Sequence, residues 1–315
     1  MSKLNKIAGA LALASALVSS AAFAADPASC KTVRFSDVGW TDITATTAAT
    51  SVILEALGYE PEVQVLSVPV TYTSLKNKDI DVFLGNWMPT MEADIKPYLE
   101  DKSVENVRVN LEGAKYTLAV PAHTYEAGLK DFADIAKFKD KLDGKIYGIE
   151  AGNDGNRLIQ GMIDEDKFGL KGFELVESSE AGMLSAVQKA AGSQKDVVFL
   201  GWEPHPMNSN IQMKYLSGGD DVFGPDFGGA TVLTNVRAGY TTECPNVGKL
   251  LSNLVFSLKM ENEIMGAILN DGADAKAAAT DWLKANPDTV GPWLEGVTTL
   301  DGGDAAEAVK AKLGS

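Results

Sequence analysis

Three observations predict an α/β protein. Short apolar, β-branched runs alternate with helix-like segments through the first two-thirds of the chain, a pattern that builds parallel sheets flanked by helices. The last third turns mostly helical. The chain carries only two cysteines, Cys30 and Cys244. If they pair, their α-carbons lie within about 7 Å. The chain near 244 then returns to its beginning, and a middle segment is free to form a unit of its own.

The segment "TVRFSDV" (32–38) reads as the first strand, and "DITATTAATSVILEALG" (42–58) as a helix stopped at Gly58. "EVQVLSV" (62–68) is the next strand and "TYTSLKNKD" (71–79) a short helix. "DVFLG" (81–85) is a buried strand ending at a turn. Strands follow at 116–121, 145–150, 173–178, 196–201 and 231–236, with helices over 155–166 and 180–191. Helices at 246–259, 261–270 and 274–285 close the pattern. Crossovers near 112–118 and 204–215 would divide the chain into a discontinuous unit, 25–115 with 210–315, and a continuous one, 116–209.

Residues 1–24 read as a secretory leader. Lys3 and Lys6 precede an apolar run over 7–18, and Ala22-Phe23-Ala24 fits small-x-small cleavage before Ala25. The run is short for a bilayer span, and no later stretch offers about 18 unbroken apolar residues, so an exported protein without membrane insertion is expected. In an oxidising compartment one disulfide is the default for two cysteines. The chain holds 43 acidic against 28 basic residues, a net charge of −15, lower still once Lys3 and Lys6 leave. That balance argues against nucleic acid and anionic membranes as partners, and mildly favours cationic ligands.

The tryptophans point to a site. "DVFLGNWMP" (81–89) and "DVVFLGWEP" (196–204) repeat one pattern: a buried strand, small residues, a tryptophan, and a proline two residues later. Trp40 follows the first strand in the same manner, in "SDVGWTD". Ligands of parallel α/β sheets bind beyond the carboxyl ends of the strands, where Trp40, Trp87 and Trp202 are all expected. Aromatic faces that converge there suit a quaternary ammonium, which attracts ring faces but donates no hydrogen bond. Tyr116, at the expected crossover, is placed to add a fourth ring. Trp282 and Trp293 fall in helical surroundings and read as packing residues.

Catalytic signatures are missing. The chain has no Gly-x-Ser-x-Gly elbow, no phosphate-binding glycine loop and no His-Glu-x-x-His. His123 and His205 are its only histidines, and His205, between two prolines, reads as a turn residue with satisfied ring nitrogens. Asp220, Asp221 and Asp226 cluster without EF-hand spacing and read as a solvated loop. No metal and no cofactor are called for. Two polar positions keep two readings each. Asp42 is either the N-cap of the first helix or a carboxylate facing the cationic head or hydroxyl of a ligand. Asn153, in "EAGNDGN", either caps its helix or bonds a ligand's polar end.

Together, "FSDVGWTDITATTAAT", "DVFLGNWMPTM", "YTLAVP", "GIEAGNDGN" and "FLGWEPHPMN" give the chain, from residue 25 to its end, a resemblance to a known family. It resembles the periplasmic substrate-binding proteins of ABC importers for quaternary amines, the glycine betaine/choline group. The resemblance implies the type II fold: two α/β lobes joined by two crossovers, with ligand in the cleft between them. It implies an aromatic box of Trp40, Trp87, Tyr116 and Trp202, polar contacts from Asp42 and Asn153, and a Cys30–Cys244 disulfide. It further implies a monomeric periplasmic binder, not an enzyme, that passes its ligand to a membrane permease. A carboxylate at position 42 would repel the carboxylate of glycine betaine, by about 3 kcal/mol at roughly 5 Å and an effective dielectric near 20. Choline is therefore the expected ligand, with acetylcholine weaker. Glycine betaine or a related compatible solute is the alternative, and an exported choline-ester hydrolase a remote one.

Overall fold

The computed structural model describes Asp26–Gly314, so the expected leader lies outside the described residues. The chain begins with β1 (Thr32–Asp37), α1 (Thr41–Ala56), β2 (Glu60–Val65), α2 (Val68–Asn77), β3 (Val82–Met88) and α3 (Glu92–Glu100). The long strand β4 (Val104–Pro121) leads to β5 (Lys145–Tyr147), α4 (Asp154–Asp164), β6 (Glu174–Val176) and α5 (Glu180–Gly192). Then come β7 (Phe199–Glu203), β8 (Met213–Tyr215) and β9 (Gly229–Arg237). The longer helices that follow are α6 (Pro245–Asn253), α7 (Leu258–Leu269), α8 (Ala275–Ala285) and α9 (Ala305–Leu313).

The strands form one continuous sheet in the order β2-β1-β3-β9-β4-β7-β5-β6, with β8 also on β4. The sheet is mixed, where the alternation alone predicted parallel pairing. β1 pairs in parallel with β2 and β3, and β5 with β6 and β7, but β9 runs antiparallel to β3 and β4, and β7 and β8 antiparallel to β4. Every antiparallel pair includes β4 or β9. β4 pairs with β9 over Val104–Lys115 and with β7 over Lys115–Ala119, so one strand belongs to both halves. Its register shifts between Leu111 and Ala114, where the halves meet.

Residues 213–223 keep to the middle segment of the chain. β8 still pairs with Ala119–Pro121, Ser217 N–H donates to the Lys130 carbonyl (3.0 Å), and Phe223 stands against Phe132 at 5.9 Å.

α1 is buried on most of its surface and packs against α7 and α8, which explains its run of small residues and threonines. The helix expected over 246–259 is broken: Ser257 caps a new helix, its hydroxyl accepting from Met260 N–H at 3.1 Å. Cys30 and Cys244 are disulfide-bonded, with α-carbons 5.7 Å apart. Trp293 is buried, with its indole N–H on the Val255 carbonyl (3.1 Å), and Trp282 donates to Glu263 (2.8 Å). Both therefore serve packing.

Candidate functional site

Trp87 and Trp202 lie inside β3 and β7, not past the strand ends as the flanking turn residues predicted. In β3 the register shifts between Phe83 and Asn86, a bulge that re-aims the following side chains. Gly85 occupies that bulge because a β-carbon there would come within 2.7 Å of Ile43 Cδ1 in α1. Each tryptophan is followed two residues on by a cis proline, Pro89 and Pro204. Trp40 does follow its strand, and it holds the N-cap position of α1.

The structure brings all six predicted site residues around one cavity. Trp87 and Tyr116 have ring centroids 6.0 Å apart at 59°, and Tyr116 and Trp202 6.3 Å at 77°, so their faces are angled and not stacked. Trp40, Trp87, Tyr116 and Trp202 are each at least 94% buried. Trp40 hangs from α1 in one half, and its indole N–H donates to Glu150 of the other half at 2.8 Å.

Asp42 is the second residue of α1, so the N-cap reading does not hold. One of its oxygens accepts from the Trp87 indole N–H at 3.1 Å, and the other has no partner among the described residues. Burial, reinforced by the charge of Glu180, pushes its carboxyl up to about 8. Asn153 does cap its helix. Its side-chain oxygen accepts from Asn156 N–H (3.1 Å) and from the Tyr116 hydroxyl (3.0 Å), which ties the ring to α4.

Sequence reasoning missed two residues that line the cavity, Ile149 and Asp154. Asp154 is fully buried. One oxygen accepts from Asn153 Nδ2 at 3.1 Å, the other has no partner among the described residues, and burial pushes the carboxyl up to about 7. Its signal was its place beside Asn153 at the start of a helix, where capping is the commoner role. His205 is buried, accepts from Met207 N–H at 2.9 Å and faces Glu180 at 3.3 Å. Glu203 pairs with Lys115 across the hinge strands at 3.8 Å. Among the described residues, no three His, Cys, Asp or Glu are grouped to hold a metal ion.

This cavity has four rings, two buried carboxylates and no basic side chain in its lining. It can hold a compact cation and offer acceptors to a hydroxyl. Residues 31–285 match the OpuAC family, the substrate binding domain of ABC-type glycine betaine transport systems. The chain belongs to this family. It is a substrate-binding protein of an ABC transport system, and not an enzyme. An ABC-transporter choline binding protein solved in complex with choline is 73% identical, covering 91% of this chain and 100% of its own, with a TM-score of 0.90. An ABC-transporter choline binding protein in an unliganded semi-closed conformation matches at the same identity and coverage, with a TM-score of 0.84. The glycine betaine/carnitine transport binding protein GbuC of Listeria monocytogenes is 32% identical over 163 residues, 52% of this chain and 53% of that protein. Among the described residues, no helix is long and apolar enough to cross a membrane.

Proposed function

We propose that this OpuAC-family protein captures choline in the cavity between its two halves and delivers it to the permease of an ABC importer. The observation that carries this reading is the lining itself: two buried carboxylates, Asp42 and Asp154, stand among four rings with no lysine or arginine. Glycine betaine would bring its own carboxylate against both acids. Choline carries a net positive charge and a hydroxyl, and both find partners here.

In this reading Trp40, Trp87, Tyr116 and Trp202 box the trimethylammonium, each ring contributing about 0.5–2 kcal/mol once desolvated. Asp42 balances the charge, and Asn153 with Asp154 receives the hydroxyl. Acetylcholine keeps the cation but lacks the hydroxyl donor, so it binds more weakly. The lobes are residues 26–115 with about 224–314, and 116–223, and they close on ligand about the bent middle of β4. The protein acts as a monomer, exported with its leader removed before Ala25.

Calorimetric titration of the ligand-stripped protein tests this. Micromolar choline binding, about 8 kcal/mol, with acetylcholine weaker and glycine betaine weaker again, is expected. Equal or preferential betaine binding would overturn choline as the ligand. No heat with any of the three would overturn the quaternary-amine assignment.

A further inference from the structure

Across the cleft from α1, outside the cavity lining, Glu180 is 96% buried at the first turn of α5. Its carboxylate accepts from the backbone N–H of Thr41 at 3.0 Å and from the Thr41 hydroxyl. Thr41 is the first residue of α1 and belongs to the opposite half of the molecule. The N–H of Thr41 has no partner inside its own helix, and the positive end of the α1 dipole favours an anion at this point. The third partner of Glu180 is His205 Nε2, at 3.3 Å. Met207 N–H donates to His205 Nδ1, so the ring proton of neutral His205 sits on Nε2 and is aimed at Glu180. The same imidazole packs edge-on against Trp202, centroids 5.0 Å apart at 67°.

We propose that Glu180 is a positioning residue for ligand binding: it joins the head of α1, next to Trp40, to His205 beside Trp202, and so latches two pocket rings of opposite halves into the closed arrangement. The proposal rests on the binding reading above. Two of the three donors to Glu180 come from the other half, so the carboxylate is fully partnered only when the cleft is shut. The Arg157–Asp94 pair (2.5 Å) also crosses the cleft, but Arg157 is 41% exposed, and an exposed pair holds weakly. The buried charge-assisted bonds of Glu180 are the stronger tie. Because they form after the ligand has landed, they govern its escape and not its arrival.

The test is stopped-flow tryptophan fluorescence with choline on the wild type, Glu180→Ala, Glu180→Gln, Thr41→Val and the Glu180→Ala/Thr41→Val double variant, alongside thermal unfolding without ligand. For Glu180→Ala, koff rises about ten- to hundredfold, the worth of hydrogen bonds to a charged group. Its kon stays within about threefold, since interface changes act mainly on dissociation. Glu180→Gln falls between, since its carbonyl still accepts from Thr41 N–H. Thr41→Val raises koff less, and adds nothing once Glu180 is gone. The unliganded melting temperature of the variants stays near that of the wild type. Wild-type binding with an unchanged koff in Glu180→Ala overturns the latch alone. So does a loss confined to kon, or one that tracks a fall in unliganded melting temperature across the variants. A wild type that binds no quaternary amine overturns the binding reading itself, and the latch with it.

Discussion

Gly155 in α4 lies so close to Tyr116 that a β-carbon built on it would stand 2.7 Å from Tyr116 Cζ and nearer still to the hydroxyl oxygen. The absence of a side chain at 155 is what lets the Tyr116 hydroxyl reach Asn153 and the ring take its place at the cavity. Gly155→Ala should therefore push the ring out of position at an overpacking penalty of about 1–3 kcal/mol. Choline affinity should fall at least about tenfold by calorimetry, while far-ultraviolet circular dichroism stays unchanged. Undiminished affinity would show that the box does not depend on this ring.

Asp42→Asn removes the carboxylate but keeps its shape. With about 3 kcal/mol assigned to its attraction for a cation near 5 Å, choline affinity should drop about a hundredfold. Glycine betaine affinity should hold or improve. Parallel titrations with both ligands decide it, and equal losses for the two would remove Asp42 from any role in selectivity.

Acidification should favour closure of the ligand-free protein. In the closed arrangement burial raises Asp42 to about 8 and Asp154 to about 7. Glu150 is raised as well, by burial first and by the charge of Glu180. An open, solvated Asp42 titrates near 3.8. Between that value and about 8 the closed form holds protons that the open form has released, so closing becomes harder as pH rises through this window. Small-angle scattering without ligand should give a smaller radius of gyration at pH 5 than at pH 9. Saturating choline should flatten the difference, since a cation restores the ionised carboxylate. An identical radius at both pH values, without ligand, would count against the effect.

Replacing both cysteines by serine should lower the melting temperature without touching affinity. The bridge spans a separation of 214 residues and ties the start of β1 to the start of α6, away from the cavity. Loss of a native disulfide typically costs about 2–5 kcal/mol. A change in choline affinity in the double variant would mean that the bridge shapes the site after all.

The rings were legible in the sequence because, although a single tryptophan beside a buried run reads as packing, Trp40, Trp87 and Trp202 repeat one setting and together are harder to explain that way. Their exact seats were not legible. The bulge at Gly85 lets β3 run through Asn86 and Trp87, where the turn residues alone predicted an end. The N-cap at Trp40 went unread because no side-chain acceptor marks it, and the donor it leaves free is met by Glu180, 139 residues away. Asp154 was overlooked because an aspartate at a helix start looks like a cap, and only burial separates the two roles. β8 was not legible because it is three residues long, too short to carry a period.

β3 and β4 follow one another in the chain yet are never neighbours, because β9 lies between them. A chain folding in the order of its synthesis must therefore keep the slot between its third and fourth strands open until residues 229–237 arrive. The middle segment has all its strands in hand earlier and can close its part of the sheet first. The sheet of the half holding α1 and Asp42 is completed last, by the insertion of a strand paired on both sides. Pairing over such long separations makes for slow folding. A truncation that stops short of Gly229 would leave two unprotected strand edges in the interior of the sheet, which is the setting for aggregation.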